Sequence, residues 1–187
     1  RRQPRLAVYG FCWALCYLGF GLVQHQRALS AAESIVSHRQ HEPTRLEVKP
    51  GFANLLVWKA LYEYEDRYYV DAVRVGINPT FFPGESVAKF SAGRDFPFLK
   101  STSQQAKDIE RFRWFSDYWL ALDDEDPAMI VDMRYSQIPN AVKGLWGIKV
   151  LSGKTETEHV EWLVQRETGA EELSVFWAQL MGRNAVP

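Results

Sequence analysis

Residues 54–75 read NLLVWKALYEYEDRYYVDAVRV, two runs dense in Val, Leu, Tyr and Trp that meet at Glu65-Asp66. Side chains of this kind suit a pleated, half-buried surface, and an acidic pair between them marks a turn. Residues 54–64 and 67–75 are therefore predicted to form a β-hairpin. In an extended second run Tyr69, Asp71, Val73 and Val75 share one face, which makes Asp71 the polar exception on an apolar side.

Working outward toward the C-terminus, Asn78-Pro79 and Pro83-Gly84 punctuate a loop, residues 86–90 form a short strand candidate, and a second loop surrounds Pro97. Ser101 and Thr102, each with Gln three residues on, give capping signals for a helix. Its apolar positions are Ile109, Phe112, Phe115 and Trp119, so it is expected to pack on something. Residues 129–135, 145–151 and 159–166 read as three more strands, the last with Val160, Trp162 and Val164 on one face. Thr168 with Glu171 caps a final helix carrying Leu173, Phe176, Trp177 and Leu180, and Gly182 closes it. Strands that cluster in hairpins, without βαβ alternation, predict an α+β fold: a mostly antiparallel sheet with two packed helices over residues 43–187.

Toward the N-terminus, residues 6–23 read LAVYGFCWALCYLGFGLV, eighteen positions without a charge, Asn, Gln or Pro. As a helix this run spans roughly 27 Å, enough for a bilayer core. Tyr9, Trp13 and Tyr17 are amphipathic aromatics, and Gly10, Gly19 and Gly21 suit close helix approach. A transmembrane helix is the reading, against a secretory signal peptide with a vague cleavage site at Ala28-Leu29-Ser30. The apolar run exceeds a usual signal core, and Gln24, His25, Gln26 and Arg27 intervene before that site. Helical character continues through HQRALSAAESIVSHRQH until Pro43, so residues 1–42 are expected to be the span and its extension. Arg1, Arg2 and Arg5 precede the run and Arg27 follows it, which predicts a cytoplasmic start with the remainder outside, on the periplasmic side in a bacterium. Because the chain opens with Arg, it is expected to be a fragment or processed product whose helix is the last of several spans.

The net charge is −1, and no basic run offsets it, which argues against a nucleic-acid partner. Residues 1–44 carry five Arg against Glu33 and Glu42, whereas residues 45–187 carry 17 Lys and Arg against 21 Asp and Glu, a split that suggests two environments. Cys12 and Cys16 both lie in the apolar run and read as packing residues. No nucleophile elbow, phosphate loop or dinucleotide fingerprint occurs. His38 and His41, with Glu42, make a partial metal-ligand set at the helix end, the competing reading being a solvated helix terminus.

The candidate polar cluster is the charge-rich, aromatic-rich pair of segments at 108–117 and 132–135: Asp108, Arg111, Arg113 and Asp117, with Asp132 and Arg134. On a helix Asp108 faces Arg111 and Glu110 faces Arg113; on a strand Asp132 and Arg134 point to one side. Two readings are open, structural Arg–carboxylate pairs that tie helix to sheet and a surface for an anionic or polar headgroup.

DIERFRWFSD at 108–117, DMRYS at 132–136, LWGI at 145–148, the segment at 54–76 and VQHQRAL at 23–29 together resemble the membrane-bound metal-dependent hydrolases of bacterial inner membranes. The resemblance covers most of the chain. It implies a soluble C-terminal domain carried by a bundle of transmembrane helices, with a motif resembling His-Arg-Gly-x-Thr-His-Ser holding a divalent metal, most simply zinc. No such stretch occurs here, so the implied metal ligands would precede Arg1 and this chain itself would hold no cofactor. The partners implied are the lipid bilayer and that upstream bundle. The expected role is substrate access or regulation in such a hydrolase; the alternative is a non-catalytic, membrane-anchored binding or sensor module.

Overall fold

The structure, a computed structural model, describes residues 4–165 and 169–183. It is α+β. Helix α1 runs unbroken over Pro4–His38. Strands β1 (Arg45–Pro50), β2 (Val57–Tyr64), β3 (Arg67–Val75), β4 (Pro79–Phe82) and β5 (Ser86–Ala88) make one antiparallel sheet. Helices α2 (Ala92–Asp95) and α3 (Gln104–Phe115) follow. A second antiparallel sheet holds β6 (Leu120–Leu122), β7 (Met129–Asp132), β8 (Trp146–Lys149) and β9 (Glu161–Val164), and α4 (Ala170–Leu180) comes last.

Strand alternation builds four layers. Leu61, Tyr68 and Val70 face the second sheet and pack with Trp119, Met129, Val131 and Met133. The opposite face of the first sheet, with Trp58, Ala60, Val73 and Val75, is covered by Ala28 and Ala32 of α1. The opposite face of the second sheet, with Leu120, Ile130 and Ile148, is covered by Ile109 and Phe112 of α3. Leu180 of α4 packs against Val57, Ala72 and Phe82. The order is thus α1, sheet, sheet, α3.

The predicted hairpin forms with Glu63 opposite Tyr68 and Val57 opposite Arg74. The loop expected at residues 79–82 is instead β4, whose Phe81 and Phe82 pair with Val73 and Ala72. Residues 45–50, for which no strand was expected, pair with residues 58–63 of β2. The 101–119 helix is shorter than its apolar periodicity suggests. It starts after Ser103, whose Oγ accepts from the Ala106 N–H at 3.3 Å, and ends at Phe115. Asp117 and Tyr118 then adopt left-handed φ values of 49° and 66°. The Tyr118 N–H closes on the Arg113 carbonyl at 2.9 Å, a Schellman-type stop. The reversal drives Trp119 between the two sheets, where it is fully buried, instead of along the helix. Thr168, the expected cap of the last helix, lies outside the described residues; Gly169 is the N-cap, its N–H given to Glu172 at 2.8 Å. Gly182, at φ 73°, ends α4 as expected.

The two halves of α1 differ. Leu6, Phe11, Trp13, Leu18 and Leu22 are exposed, while Gln24, Ala28, Ala32 and Val36 are buried at four-residue intervals against the sheet. The first half is long and apolar enough to cross a membrane. The second is core: a fragment beginning after residue 42 would leave Trp58, Ala60 and Val73 without their cover.

Candidate functional site

Helix α1 ends in a Schellman motif. Gln40 takes the left-handed conformation at φ 57°, and the Gln40 and His41 N–H groups return to the carbonyls of Ser37 and Val36. This turn throws Arg39 and His41 back over the edge of the first sheet, onto the face where Tyr62, Tyr64, Tyr69 and Asp71 emerge by strand alternation.

Asp71, the polar exception of the sequence, is 1% exposed. Arg39 meets it in a fork, Nη1 to Oδ2 at 2.6 Å and Nη2 to Oδ1 at 2.9 Å. The Gly84 N–H adds a third donor at 3.0 Å. Gly84 must be glycine here, because a Cβ would sit 2.2 Å from the Val70 carbonyl oxygen. Arg39 Nη1 also donates to the Tyr62 hydroxyl at 2.9 Å, and that hydroxyl lies 2.9 Å from His41 Nδ1. With its oxygen accepting from Arg39, Tyr62 has its one proton available to His41 Nδ1, and that direction of bond would hold the imidazole as the Nε2–H tautomer. Burial opposes the Arg39 charge, yet the bonds to Asp71 and Tyr62 hold its pKa above the ordinary guanidinium value. Burial pushes the Tyr62 hydroxyl above the usual phenol value, against the pull of Arg39. The His41 ring stacks on Tyr64 at 4.2 Å, and Tyr62 stacks on Tyr69 at 4.9 Å.

Beside these groups lies a cavity of about 400 Å³, lined by Arg39, His41, Tyr69, Gly84, Glu85 and Ser86. A second concavity, a groove of about 620 Å³, runs along α1 past Arg27, Ser30, Ser34 and Ile35 to Phe81 of β4. Arg39, on the wall of the first, sits with its guanidinium 5.7 Å from the ring centre of Phe81, on the wall of the second. The smaller cavity offers hydrogen-bond donors, acceptors and an aromatic wall, and the groove beside it is lined by polar and apolar groups. His41 can donate or relay a proton there; Arg39 is mainly committed to Asp71.

The six residues of the predicted polar cluster do not converge. Asp108 bonds Gln104 at 2.9 Å, Arg111 at 3.2 Å and His159 at 2.8 Å. Burial raises the Asp108 pKa, but the bonds to Gln104, His159 and the Val160 N–H hold it below the usual carboxylate value. Arg113 pairs with Glu110 at 3.4 Å and lies over Phe90, and Asp117 pairs with Arg45 at 2.6 Å. Asp132 and Arg134 form a closed knot. Arg134 Nη2 reaches Asp132 Oδ2 at 2.7 Å and the Phe115 carbonyl at 2.8 Å, and Trp146 Nε1 donates to the same carboxylate at 3.2 Å. The bond to Asp132 holds the Arg134 pKa above its ordinary value. The three phrases at 108–117, 132–136 and 145–148 thus meet through the Asp132–Arg134 pair, in the manner of a structural tie.

His38 is exposed, whereas His41 is bound to Tyr62, so the suggested partial ligand set is not assembled. Among the described residues no group of three His, Cys, Asp or Glu is placed to hold a metal ion, and the donors present do not fit a divalent metal. Sequence reasoning missed Arg39, Tyr62 and Tyr69; the signal available was Asp71, whose carboxylate on an apolar face demands a cation from a distant element. No protein-family model, curated protein or solved structure matches the chain.

Proposed function

We propose that this chain is the extramembrane domain, with its attached span, of a bacterial inner-membrane metal-dependent hydrolase, and that it governs access of an amphiphilic or lipid-linked substrate. The resemblance carried by ERFRWFSD and the DMRYS segment motivates the hydrolase part, with the metal and its ligands supplied by helices other than α1. The observation that carries the access role is the groove along α1. It starts near Arg27, just beyond the apolar half of the helix, and reaches Phe81, whose ring lies 5.7 Å from the Arg39 guanidinium on the wall of the polar pocket. An acyl or isoprenoid chain in the groove would present its headgroup to His41, Glu85 and Ser86. The basic residues ahead of the span support a periplasmic position for the domain.

The test is titration of the full chain in nanodiscs with octyl phosphate and octyl glucoside below their micellar concentrations. Saturable binding of either, lost on Ser34→Trp because the indole fills the groove, is expected. Non-saturating partition that Ser34→Trp leaves unchanged would refute the access role. The second reading, a membrane-anchored sensor or binding module without chemistry, is favoured by the Arg39–Asp71 fork, which spends the site's strongest cation on structure. Chelator-sensitive turnover by the complete membrane protein, with Ser34→Trp raising KM and sparing kcat, selects the hydrolase; saturable binding without turnover selects the sensor.

A further inference from the structure

The first sheet meets α1 at two levels, and the lower one is built differently from the site above. There the β1–β2 loop and the β3–β4 loop close around the helix like a collar. Gln24, 2% exposed, donates from Nε2 to the carbonyls of Leu55 at 3.1 Å and Val75 at 2.9 Å. Arg27 donates to the carbonyls of Gly76 and Ile77, the latter at 3.1 Å, and is braced by Gln24 Oε1 at 2.8 Å. Gly21, in the last apolar turn, faces the Leu55 side chain. These bonds fix both loops at the height where the eighteen-residue apolar run gives way to polar helix.

The loops carry apolar side chains with no protein cover. Phe52 is 78% exposed and Ile77 is 97% exposed, while neither residues 50–56 (PGFANLL) nor residues 75–80 (VGINPT) contain a charged side chain. Large apolar groups held outward on uncharged tips have an unfavourable hydration that an apolar medium relieves. The neighbouring α4 adds to this level: Gly182 lies against Arg74, one strand end from Gly76, and the preceding Met181 is exposed.

We propose that the Phe52 and Ile77 loop tips insert into the interfacial layer of the same lipid bilayer that α1 crosses, seating the domain on the membrane at a fixed height and tilt. This inference rests on the reading of α1 as a span. The occupant is lipid, since the loops that carry the tips are bonded to the helix through the Leu55, Val75, Gly76 and Ile77 carbonyls at the level of its last uncovered apolar turn, where a bilayer surrounding residues 6–23 ends. The consequence is a three-point stance, one helix and two loops, with the mouth of the α1 groove at Arg27 facing the headgroups.

The experiment uses the full chain in phosphatidylcholine–phosphatidylglycerol vesicles, in a Cys12→Ala, Cys16→Ala background, with a polarity-sensitive fluorophore on Leu18→Cys, Phe52→Cys, Ile77→Cys or Glu65→Cys. Quenchers are doxyl lipids from the bilayer side and iodide from water. The expected result is lipid quenching at 18, 52 and 77 with iodide quenching at 65 alone. Lipid quenching at 18 combined with free iodide access at 52 and 77 overturns the insertion while leaving the span intact. Iodide access at 18 overturns the span itself and, with it, this inference. Shielding of 52 and 77 from both quenchers places another protein surface on the tips and also overturns it. As an independent measure, Phe52→Ser in the unlabelled full chain should increase amide-exchange access of the collar about tenfold in vesicles, and unchanged exchange there would overturn the insertion.

Discussion

Each outer face of this double-sheet domain carries one buried aspartate paired with an arginine, and the two pairs are made in opposite ways. On the second sheet, Asp132 is held by Arg134 two residues away, by the Arg134 N–H at 3.0 Å and by Trp146, under the carbonyl end of α3. The pair is local, 0% and 15% exposed in its side chains, and finishes the strand end. On the first sheet, Asp71 is held by Arg39 from α1, with the guanidinium a quarter exposed beside a cavity. The same chemistry thus serves as an internal knot in one place and as a latch between a helix and a sheet in the other. A knot leaves no room for a ligand; a latch between separate elements leaves a seam, and the candidate pocket is that seam.

The comparison breaks most sharply at the knot. Asp132→Ala leaves Arg134 and the Trp146 N–H without their acceptor in a buried setting, so a loss of about 3–5 kcal/mol in denaturant unfolding is expected. Arg134→Lys keeps the charge, forfeits the fork to Asp132 and the bond to the Phe115 carbonyl, and should fall between wild type and Arg134→Ala. An unchanged midpoint for Arg134→Ala would make this pair a surface feature and remove its contrast with the latch.

Arg39→Ala should cost less, about 2 kcal/mol, because Asp71 keeps the Gly84 N–H and gains water from the cavity. Its signature is local. Amide exchange in residues 28–38 should accelerate while residues 129–133 stay protected, as expected of a latch released from one sheet. Equal acceleration at both places would show that the two layers unfold together and that the latch has no separate existence.

Lys59 sharpens the comparison because it sits between the sheets, 3% exposed, with Nζ bonded to Ser136 Oγ and the Ala141 carbonyl, each at 3.0 Å. Burial depresses its pKa from 10.5 to about 7, with Asp132 acting in the opposite sense. The unfolded chain therefore holds a proton on Lys59 that the folded chain releases between about pH 7 and 10.5. Stability is expected to rise across that interval with a slope near 1.4 kcal/mol per pH unit, roughly, and to be flat below it as far as this group is concerned. Lys59→Met should abolish the slope. A slope that persists in the variant would assign it elsewhere and leave Lys59 an ordinary charged ammonium tied to the Asp132 knot.

How far these features can be read from sequence depends on how local their causes are. The hairpin, the i,i+3 pairs of α3, the helical continuity of α1 and the Gly182 stop depend on neighbours along the chain, and all are present. The stop at Asp117 was not legible, since a non-glycine left-handed residue carries no composition signal and the apolar spacing runs straight on to Trp119. Strand β1, with Arg45, Glu47 and Lys49 on alternate positions, hides its pairing behind charge, and β4 hides behind Asn78-Pro79. The polar cluster at 108–134 stood out through density, but its members sit on α3, in the turn after it and at the end of β7, and they make separate pairs, some with near neighbours and some with the distant Arg45 and His159. The seam at Arg39 is the reverse case. Its residues lie 23 and 32 positions from Tyr62 and Asp71 respectively, and only the packing of α1 on β2 and β3 joins them.

The smallest effect concerns the hydroxyl that links Arg39 to His41. Tyr62→Phe keeps the ring, its stack on Tyr69 and nearly all the buried area, and removes only the oxygen that accepts from Arg39 and faces His41 Nδ1. A neutral hydrogen-bonded hydroxyl contributes about 1 kcal/mol, so the unfolding midpoint should drop by that order, well short of the Arg39→Ala loss. The informative readout is nitrogen NMR of His41. In wild type Nδ1 is expected to be the acceptor of the Tyr62 proton and Nε2 the protonated nitrogen; without that proton the neutral ring should redistribute between its two tautomers, moving both nitrogen shifts. Arg39 would keep Asp71, and the latch should therefore hold, with exchange in residues 28–38 unchanged. If the stability loss reaches that of Arg39→Ala, the hydroxyl belongs to the latch itself. If the nitrogen shifts do not move, His41 takes its tautomer from another neighbour, and the relay from Arg39 through Tyr62 to the pocket is not the one that orders this site.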